Sequence, residues 1–414
     1  MIIVLSLSFL IACSSISYAY RLELFDLLFK PARRVSCGSD SQARLRDIGY
    51  AWWFPMSDSD AQKAGVTVHD SNKSYPGSNL YLSDANSTVI LMGNNGSVIH
   101  EWSVERNLTP WDYAHLEGEY MYVVSYALLK FDRDSKIIME LPSEFHHDMD
   151  LSGGDIYVPS IERRRFLGLP LPLPSYWDNG LIIMAPDGQV KRNVSFINLF
   201  LDKDPGASRM KILSRMFVWY VRPILLRSLD MHLWDAVLEQ PSIDLFHVNS
   251  VEVLSQDIPG VSRKGDVLVS MKHLDAVAII NVEREEVLWM WGMDDLSGPH
   301  NPTLLSNGNI MLFDNGVWGE CSRVIEVDPK SNEIVWEYKG DPPTSFHSPV
   351  MGGVQELGNG NLLITESTKG RAFEITRDKE VVWEFWNPVT HNKSRSTIYR
   401  MTRYRLGGIE DFNG

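Results

Sequence analysis

Short hydrophobic runs alternate with turn residues along most of the chain, and the pattern is clearest between His300 and Tyr338. This stretch holds four apolar or alternating runs, TLL, NIMLF, RVIEV and EIVWEY, separated by Asn-Gly, Asp-Asn-Gly and Asp-Pro-Lys-Ser-Asn. Runs of this kind between such turn residues are typical of β-strands joined by tight turns. The stretch therefore predicts a four-stranded antiparallel meander.

The same layout recurs at a constant interval. His347 lies 47 residues after His300, and Trp289, Trp336 and Trp383 are also 47 residues apart. A four-stranded unit repeated about every 40 to 50 residues is the signature of a β-propeller, whose sheets pack side by side around a central channel. We expect the repeated tryptophans to fill the gaps between neighbouring sheets.

Six such units can be placed, and together they predict an all-β fold, a six-bladed β-propeller over residues 77–395. The units begin near Asn79, Trp111, His147, His247, His300 and His347. Residues 21–76 are interpreted as a linker and N-terminal extension, and residues 396–414 as a C-terminal tail.

The third unit is interrupted by residues 198–246, which predict a helical insertion. Within 208–229, five basic residues interleave with large apolar ones and Pro223 divides the segment, although the chain as a whole has a net charge of −14. A basic amphipathic helix suits the surface of a membrane. Contact with anionic lipid is one interpretation, and packing on the rim of the propeller is the alternative.

Residues 1–20 carry no charge and are long enough to span a bilayer. A secretory signal cleaved near Ala19 also fits, as does a lipoprotein signal ending at Cys13. Six Asn-x-Ser/Thr sequons are compatible with a glycoprotein exported from the cytoplasm; they begin at Asn72, Asn86, Asn95, Asn107, Asn193 and Asn392. We expect a membrane-anchored or secreted protein on the periplasmic or extracellular side. The basic residues that follow the apolar segment argue for the opposite orientation.

The acidic net charge argues against a nucleic-acid partner, so any anion site must be a local positive pocket. The three cysteines show no zinc spacing, and neither a metal nor a cofactor is expected. Cys37 and Cys321 either pair or remain free thiols.

Four histidines, His147, His247, His300 and His347, each stand before the first strand of a unit. Equivalent positions in successive blades converge on the channel axis, so the four side chains are expected to share one small volume. Such a group of imidazoles suits metal ligation, anion binding or covalent catalysis by a neutral imidazole.

Several motifs together resemble the bacterial arylsulfotransferase family over residues 79–388. They are HHDMDL, the His-Val-Asn at His247, GDVLVSMKHLDAVAIINV, HNPTLLSNGNIMLFDNG and VVWEF. The resemblance implies a six-bladed propeller that transfers a sulfuryl group from a phenolic sulfate ester to a phenol through a sulfohistidine, without a nucleotide donor.

Residue by residue, the resemblance implies that His300 is the nucleophile, with His247 and His147 as further catalytic residues. Asn249 and Lys272 are the implied substrate-binding residues, and His273 and His347 are further candidates for that role. Lys272 stands where the family pattern has arginine. Lysine keeps the charge but loses the two-pronged guanidinium.

Two other interpretations remain open. One is a non-catalytic, membrane-tethered propeller that binds a partner or an anionic ligand. The other is a quinone-cofactor dehydrogenase, because residues 328–336 resemble the blade-end motif of that class. The number of units and the lack of a carboxylate cluster for calcium argue against the latter.

Overall fold

The computed structural model describes residues 53–83, 88–104, 112–164, 176–203, 243–317 and 319–405, and secondary structure there is almost entirely β. In chain order the strands are β1 (Trp53–Pro55), β2 (Gly65–His69), β3 (Gly77–Ser83), β4 (Thr88–Gly93), β5 (Val98–Ser103), β6 (Tyr113–Glu117), β7 (Tyr120–Val124), β8 (Ala127–Phe131), β9 (Ile137–Pro142), β10 (Asp150–Ser152), β11 (Asp155–Arg164), β12 (Tyr176–Met184), β13 (Val190–Ser195), β14 (Ile243–Asp244), β15 (Val248–Val253), β16 (Val267–Met271), β17 (Ala276–Asn281), β18 (Glu286–Trp291), β19 (His300–Leu304), β20 (Ile310–Asp314), β21 (Arg323–Asp328), β22 (Glu333–Tyr338), β23 (Gly353–Glu356), β24 (Leu362–Glu366), β25 (Arg371–Ile375), β26 (Val381–Trp386), β27 (Thr390–His391), β28 (Ser394–Ser396) and β29 (Met401–Arg405). Helical segments in these ranges are the 3₁₀ turns Asp60–Gln62, Lys272–Leu274, Pro343–Ser345 and Ser367–Lys369 and the π-helical turn Asn198–Lys203. The prediction of an all-β fold is confirmed.

Most strands belong to six antiparallel sheets that follow one another along the chain. We number them sheet 1 (β3–β5 with β29), sheet 2 (β6–β9), sheet 3 (β10–β13 with β14), sheet 4 (β15–β18), sheet 5 (β19–β22) and sheet 6 (β23–β26 with β2). Among the described residues, consecutive strands of each sheet pair antiparallel in sequence order, as predicted for His300–Tyr338. The added strands differ: β29 pairs with β3, β2 pairs with β26, and β14 pairs in parallel with β12. A small additional sheet joins β1, β28 and β27.

A hydrophobic cluster lies between each pair of consecutive sheets, and another lies between sheets 6 and 1. The indoles of the three repeated tryptophans, and that of Trp102 on β5, donate hydrogen bonds across these interfaces to a turn of the next sheet. Their Nε1 atoms donate from Trp102 to Asp132 O (3.1 Å), from Trp289 to Asn332 Oδ1 (2.8 Å), from Trp336 to Arg377 O (3.1 Å) and from Trp383 to Asn94 O (2.7 Å). The prediction that these tryptophans join neighbouring sheets is confirmed.

The structure differs from the expected domain boundaries at both ends. β29 lies in the predicted tail and completes sheet 1, with Met401 paired to Tyr81, whereas β2 lies in the predicted linker and pairs with β26. Five-residue strands carry too little alternation to stand out in a sequence. Their pairing satisfies edge groups that would otherwise face solvent on β3 and β26.

Several predictions fall outside the described residues. These are the signal or anchor at 1–20 and the basic segment 208–229; of the insertion at 198–246, only its first six and last four residues are described. Among the described residues, no helix has the length and hydropathy to cross a bilayer. Cys321 is buried and disulfide-bonded. The considered pairing of Cys321 with Cys37 involves a residue outside the described part of the chain.

Candidate functional site

Three of the predicted histidines stand at the start of neighbouring sheets. His247 immediately precedes β15, His300 is the first residue of β19, and His147 lies three residues before β10. These strands open sheets 4, 5 and 3, and β15 contacts both β10 and β19. Propeller-like stacking therefore directs the three side chains toward one region.

The imidazole rings form a continuous cluster. The ring of His147 lies 5.0 Å from that of His247, which lies 4.6 Å from the ring of His273. His146, which the sequence analysis did not select, contacts His147 through their Nδ1 atoms at 2.7 Å. Burial lowers the pKa of His147 well below its ordinary value, and the charges that His146, His247, His300 and Lys272 would carry lower it further. His300 and Lys272 therefore lie beside the cluster.

The backbone around the cluster is strained. The φ angles of His147, His247 and Asn301 are 69°, 49° and 45°, a left-handed conformation that non-glycine residues rarely adopt. Such conformations persist where surrounding contacts enforce them, and they concentrate at functional sites.

His300 is held in one orientation through its Nδ1 atom. That atom lies 2.7 Å from Asn315 Oδ1 and 3.1 Å from Gly298 O. The amide of Asn315 donates to the carbonyls of Ser348 and Met351, so Asn315 presents an acceptor to the ring. Both neighbours of Nδ1 are therefore acceptors, Nδ1 must carry the proton, and Nε2 of the neutral ring carries the lone pair.

Burial keeps His300 in this neutral form. The residue is fully buried, and desolvation, assisted by the nearby Lys272, lowers its pKa well below the ordinary value. Nε2 is buried and has no hydrogen-bond partner in the part of the chain that the structure describes. A fixed, neutral imidazole with an unshared lone pair is the form required of a histidine nucleophile.

His247 is paired with an acidic residue that the sequence analysis missed. Its Nδ1 lies 2.6 Å from Asp244 Oδ2, while Asp244 Oδ1 accepts from the His247 backbone N–H (2.9 Å) and from Asn179 Nδ2 (2.8 Å). Burial lowers the pKa of His247 to about 3, although the carboxylate acts to raise it. Burial alone would raise the pKa of Asp244, but the imidazole and its other donors hold it below the ordinary value.

Lys272 supplies the positive charge at the site. It begins a 3₁₀ turn after β16, and its backbone N–H donates to His247 O at 3.2 Å. Burial lowers its pKa to about 8, while Asp244 and Asp275 act to raise it. The ammonium group is therefore mostly charged at neutral pH and loses that charge under mildly alkaline conditions.

The mouth of the site has donors that could hold a metal ion. Asp244, His247 and His273 offer ligand atoms within 4.8 Å of one another. Nδ1 of His273 lies 2.8 Å from Asp244 O, which leaves Nε2 as its ligating atom. A carboxylate with two imidazoles suits a divalent transition metal.

Asn249 contributes an acceptor to the site. Its Nδ2 donates to Pro299 O at 2.9 Å, immediately before His300, and its buried Oδ1 has no partner among the described residues. The amide therefore holds the backbone next to His300. Its oxygen suits a hydroxyl donor better than a sulfate oxygen.

His347 is placed differently from the other predicted residues. It lies six residues before β23, and its backbone N–H donates to Glu366 Oε1 at 2.9 Å. Burial lowers its pKa, with Glu366 and Lys369 as its main charged neighbours. The expectation that His347 occupies the position equivalent to His247 is wrong, because the turn before β23 is longer.

The fold and the site thus define an all-β protein with a buried histidine cluster where neighbouring sheets begin. The family model for arylsulfotransferases (ASST) matches residues 232–388, which include His247, Asn249, Lys272 and His300. The match confirms the resemblance drawn from the motifs: over these residues the chain is similar to the arylsulfotransferase family.

No curated protein matches the chain. A Bacteroides caccae protein of unknown function is 12% identical, with 80% of this chain and 99% of that chain covered and a TM-score of 0.49. A streptogramin B lyase is 10% identical, with 85% and 97% covered and a TM-score of 0.44. A virginiamycin B lyase from Staphylococcus aureus is 12% identical, with 72% and 85% covered and a TM-score of 0.39. Likenesses this distant carry no argument about function.

Proposed function

We propose that the protein is a six-bladed β-propeller that transfers a sulfuryl group from an aryl sulfate to a phenol through a sulfohistidine at His300. The observation that carries the proposal is the state of that imidazole. Its Nδ1 proton faces two acceptors, and its Nε2 lone pair is unshared beside a cationic side chain. The family match at residues 232–388 supports the same chemistry.

In the first half-reaction Nε2 of His300 attacks sulfur as the bond from sulfur to the aryl oxygen breaks. The electron pair leaves with that oxygen, and a phenolate and an N-sulfonated imidazole result. The ammonium group of Lys272 stabilises the negative charge on the sulfuryl oxygens and on the departing phenolate. The hydrogen bonds that Nδ1–H donates to Asn315 Oδ1 and Gly298 O become stronger as positive charge develops on the ring.

In the second half-reaction a phenol oxygen attacks sulfur, the nitrogen–sulfur bond breaks, and its electron pair returns to Nε2. The phenol proton passes to the neutral imidazole of His247, which Asp244 orients and stabilises in its charged form. His247 then releases the proton to solvent, where the first phenolate is protonated. His147 and Asn249 complete the site, the latter as acceptor for the phenol hydroxyl.

We further propose that the propeller lies outside the cytoplasm. The disulfide at Cys321 supports this location, because such bonds persist mainly in oxidising compartments. The sequons and the apolar segment 1–20 support it as well. Fractionation of cells that express the full chain tests the location, and recovery of Cys321 as a free thiol in the cytosol would overturn it.

The enzymatic proposal is tested by incubating the purified protein with 4-nitrophenyl sulfate and phenol. We expect phenyl sulfate and 4-nitrophenol in equal amounts, and we expect His300→Ala to abolish both while circular dichroism remains unchanged. His69, an exposed histidine on β2, provides the matched control, and His69→Ala should retain full activity. Turnover by the His300→Ala variant at the unmodified rate would remove His300 from the mechanism.

A further inference from the structure

Arg400 lies in the segment between β28 and β29, directly before the strand that completes sheet 1. Its side chain is 8% exposed, and its Nη1 donates to Asp148 Oδ1 at 2.9 Å. Asp148 Oδ2 accepts from Ser250 Oγ (2.9 Å) and from the Val251 backbone N–H (3.0 Å). The carboxylate is therefore fully engaged, and one edge of the guanidinium is used to hold it.

The other edge of the Arg400 guanidinium is buried without an acceptor. Nε and Nη2 both lack a hydrogen-bond partner among the described residues. Arg377, Arg395 and Arg403 each leave only one such nitrogen. Nε and Nη2 together form the fork that matches two oxygens of a carboxylate or sulfate. Leaving two donors of a buried cation without acceptors is unfavourable, so this edge is suited to bind a ligand.

Arg400 also contacts residues next to the cluster histidines in the chain. Asp148 follows His147 in the chain. A Cβ added at Gly353 would lie 2.8 Å from Asn301 Oδ1, next to His300, and 3.1 Å from Arg400 Cγ. Glycine at this position thus lets the arginine stem approach the start of β19.

Aromatic rings line the guanidinium. The ring of Tyr113 lies 4.7 Å from its central carbon and that of Tyr399 lies 5.7 Å away. The ring of Tyr399 is also 6.2 Å from that of His147. These contacts hold the guanidinium in place while its Nε–Nη2 edge stays unpaired.

We propose that Arg400 is a ligand-binding residue whose Nε and Nη2 grip two oxygens of an oxyanion, a sulfate or a carboxylate, beside the histidine cluster. The ligand is either the sulfuryl group itself or an acidic substituent on the aromatic substrate. Binding at this edge does not require sulfuryl transfer, so the proposal can fail or hold independently of the proposed function.

The test is calorimetric titration of the full chain with sodium sulfate and, in a second arm, with sodium benzoate. Lys272→Gln serves as the background, because it removes the other cation of the site. In that background, Arg400→Lys keeps the charge beside Asp148 but removes the fork, and we expect it to weaken binding at least tenfold. Arg377→Lys is the matched control, since Arg377 also pairs with one carboxylate, that of Glu326, and should leave the affinity unchanged.

Weakened sulfate binding alone assigns the edge to the sulfuryl group, whereas weakened benzoate binding assigns it to a carboxylate substituent. Equal affinities for both anions in the Lys272→Gln protein and its Arg400→Lys derivative would overturn the proposal, as would no binding of either. If Arg400→Lys does not fold, Gly353→Ala replaces it and should weaken anion binding by crowding the Arg400 stem. An unchanged affinity in that variant also counts against the proposal.

Discussion

Replacement of Lys272 by arginine should change how the first half-reaction depends on pH. Burial lowers the pKa of Lys272 to about 8, with Asp244 and Asp275 opposing the effect. If the ammonium charge stabilises the leaving phenolate, the rate follows the charged fraction. Arginine stays charged throughout the accessible range.

The expected magnitude follows from that pKa. The charged fraction of Lys272 falls from about 90% at pH 7 to about 10% at pH 9, and it falls about tenfold for each further pH unit. The value of kcat/KM for the sulfate donor should fall in parallel. In Lys272→Arg the alkaline decline should disappear, while activity at pH 7 should be retained or raised.

The assay is the burst of 4-nitrophenolate that accompanies sulfonation of the enzyme without an acceptor phenol. This design excludes ionisation of the acceptor from the pH profile. Circular dichroism at each pH confirms that the protein remains folded. An alkaline decline with the same midpoint in Lys272→Arg would refute the assigned role, and complete loss of activity would show that Lys272 has been aligned with the wrong family position.

Two further predictions concern the histidine cluster. Asn315→Leu removes the acceptor that fixes Nδ1 of His300, so we expect kcat to fall by about tenfold to a hundredfold with little change in KM, and an equal kcat would contradict the positioning role. Burial lowers the pKa of His146 to about 4 in the folded protein, and it lowers the pKa values of His147 and His300 well below the ordinary value. These histidines therefore stay neutral in the folded protein, while the unfolded chain takes up protons on them below pH 6.5. Stability should therefore fall by about 1.4 kcal/mol per histidine and pH unit below that pH. Glu252 and Asp150 partly offset this fall, because burial raises their carboxyl pKa values to about 7 and about 6. Urea unfolding at pH 7 and pH 5 measures the change in the free energy of unfolding. We expect a smaller change in His147→Gln, and equal stability at the two pH values would contradict the prediction.

The repeat was predictable because its strands and turns have local sequence signals. Turn residues lie between the consecutive strands of sheets 4 to 6, and the tryptophans recur on the fourth consecutive strand of each, β18, β22 and β26. Positions equivalent in the repeat meet at the channel, so His147, His247 and His300 could be selected together. The prediction for His347 was wrong because the spacing from His300 matches the repeat, whereas β23 begins six residues after His347.

The residues that orient the cluster were not predictable in the same way. Asn315 reaches Nδ1 of His300 from the end of β20, and Arg400 reaches Asp148 from 252 positions away along the chain. The Arg400 pairing depends on β29 joining sheet 1, which no local sequence pattern indicates. Asp244 is the exception, because it stands three residues before His247 and an acidic residue at that distance could have been weighed as its partner.

The central claim is that sulfur bonds to Nε2 of His300 during turnover. The direct measurement is mass spectrometry of peptides from protein treated with 4-nitrophenyl sulfate, without acceptor, and digested under alkaline conditions that preserve N-sulfonated imidazole. We predict that the peptide containing His300 gains the mass of one sulfuryl group and loses it when phenol is added before digestion. A burst of 4-nitrophenol with the added mass on any other residue, or with no modified peptide in a protein that turns over, would contradict it.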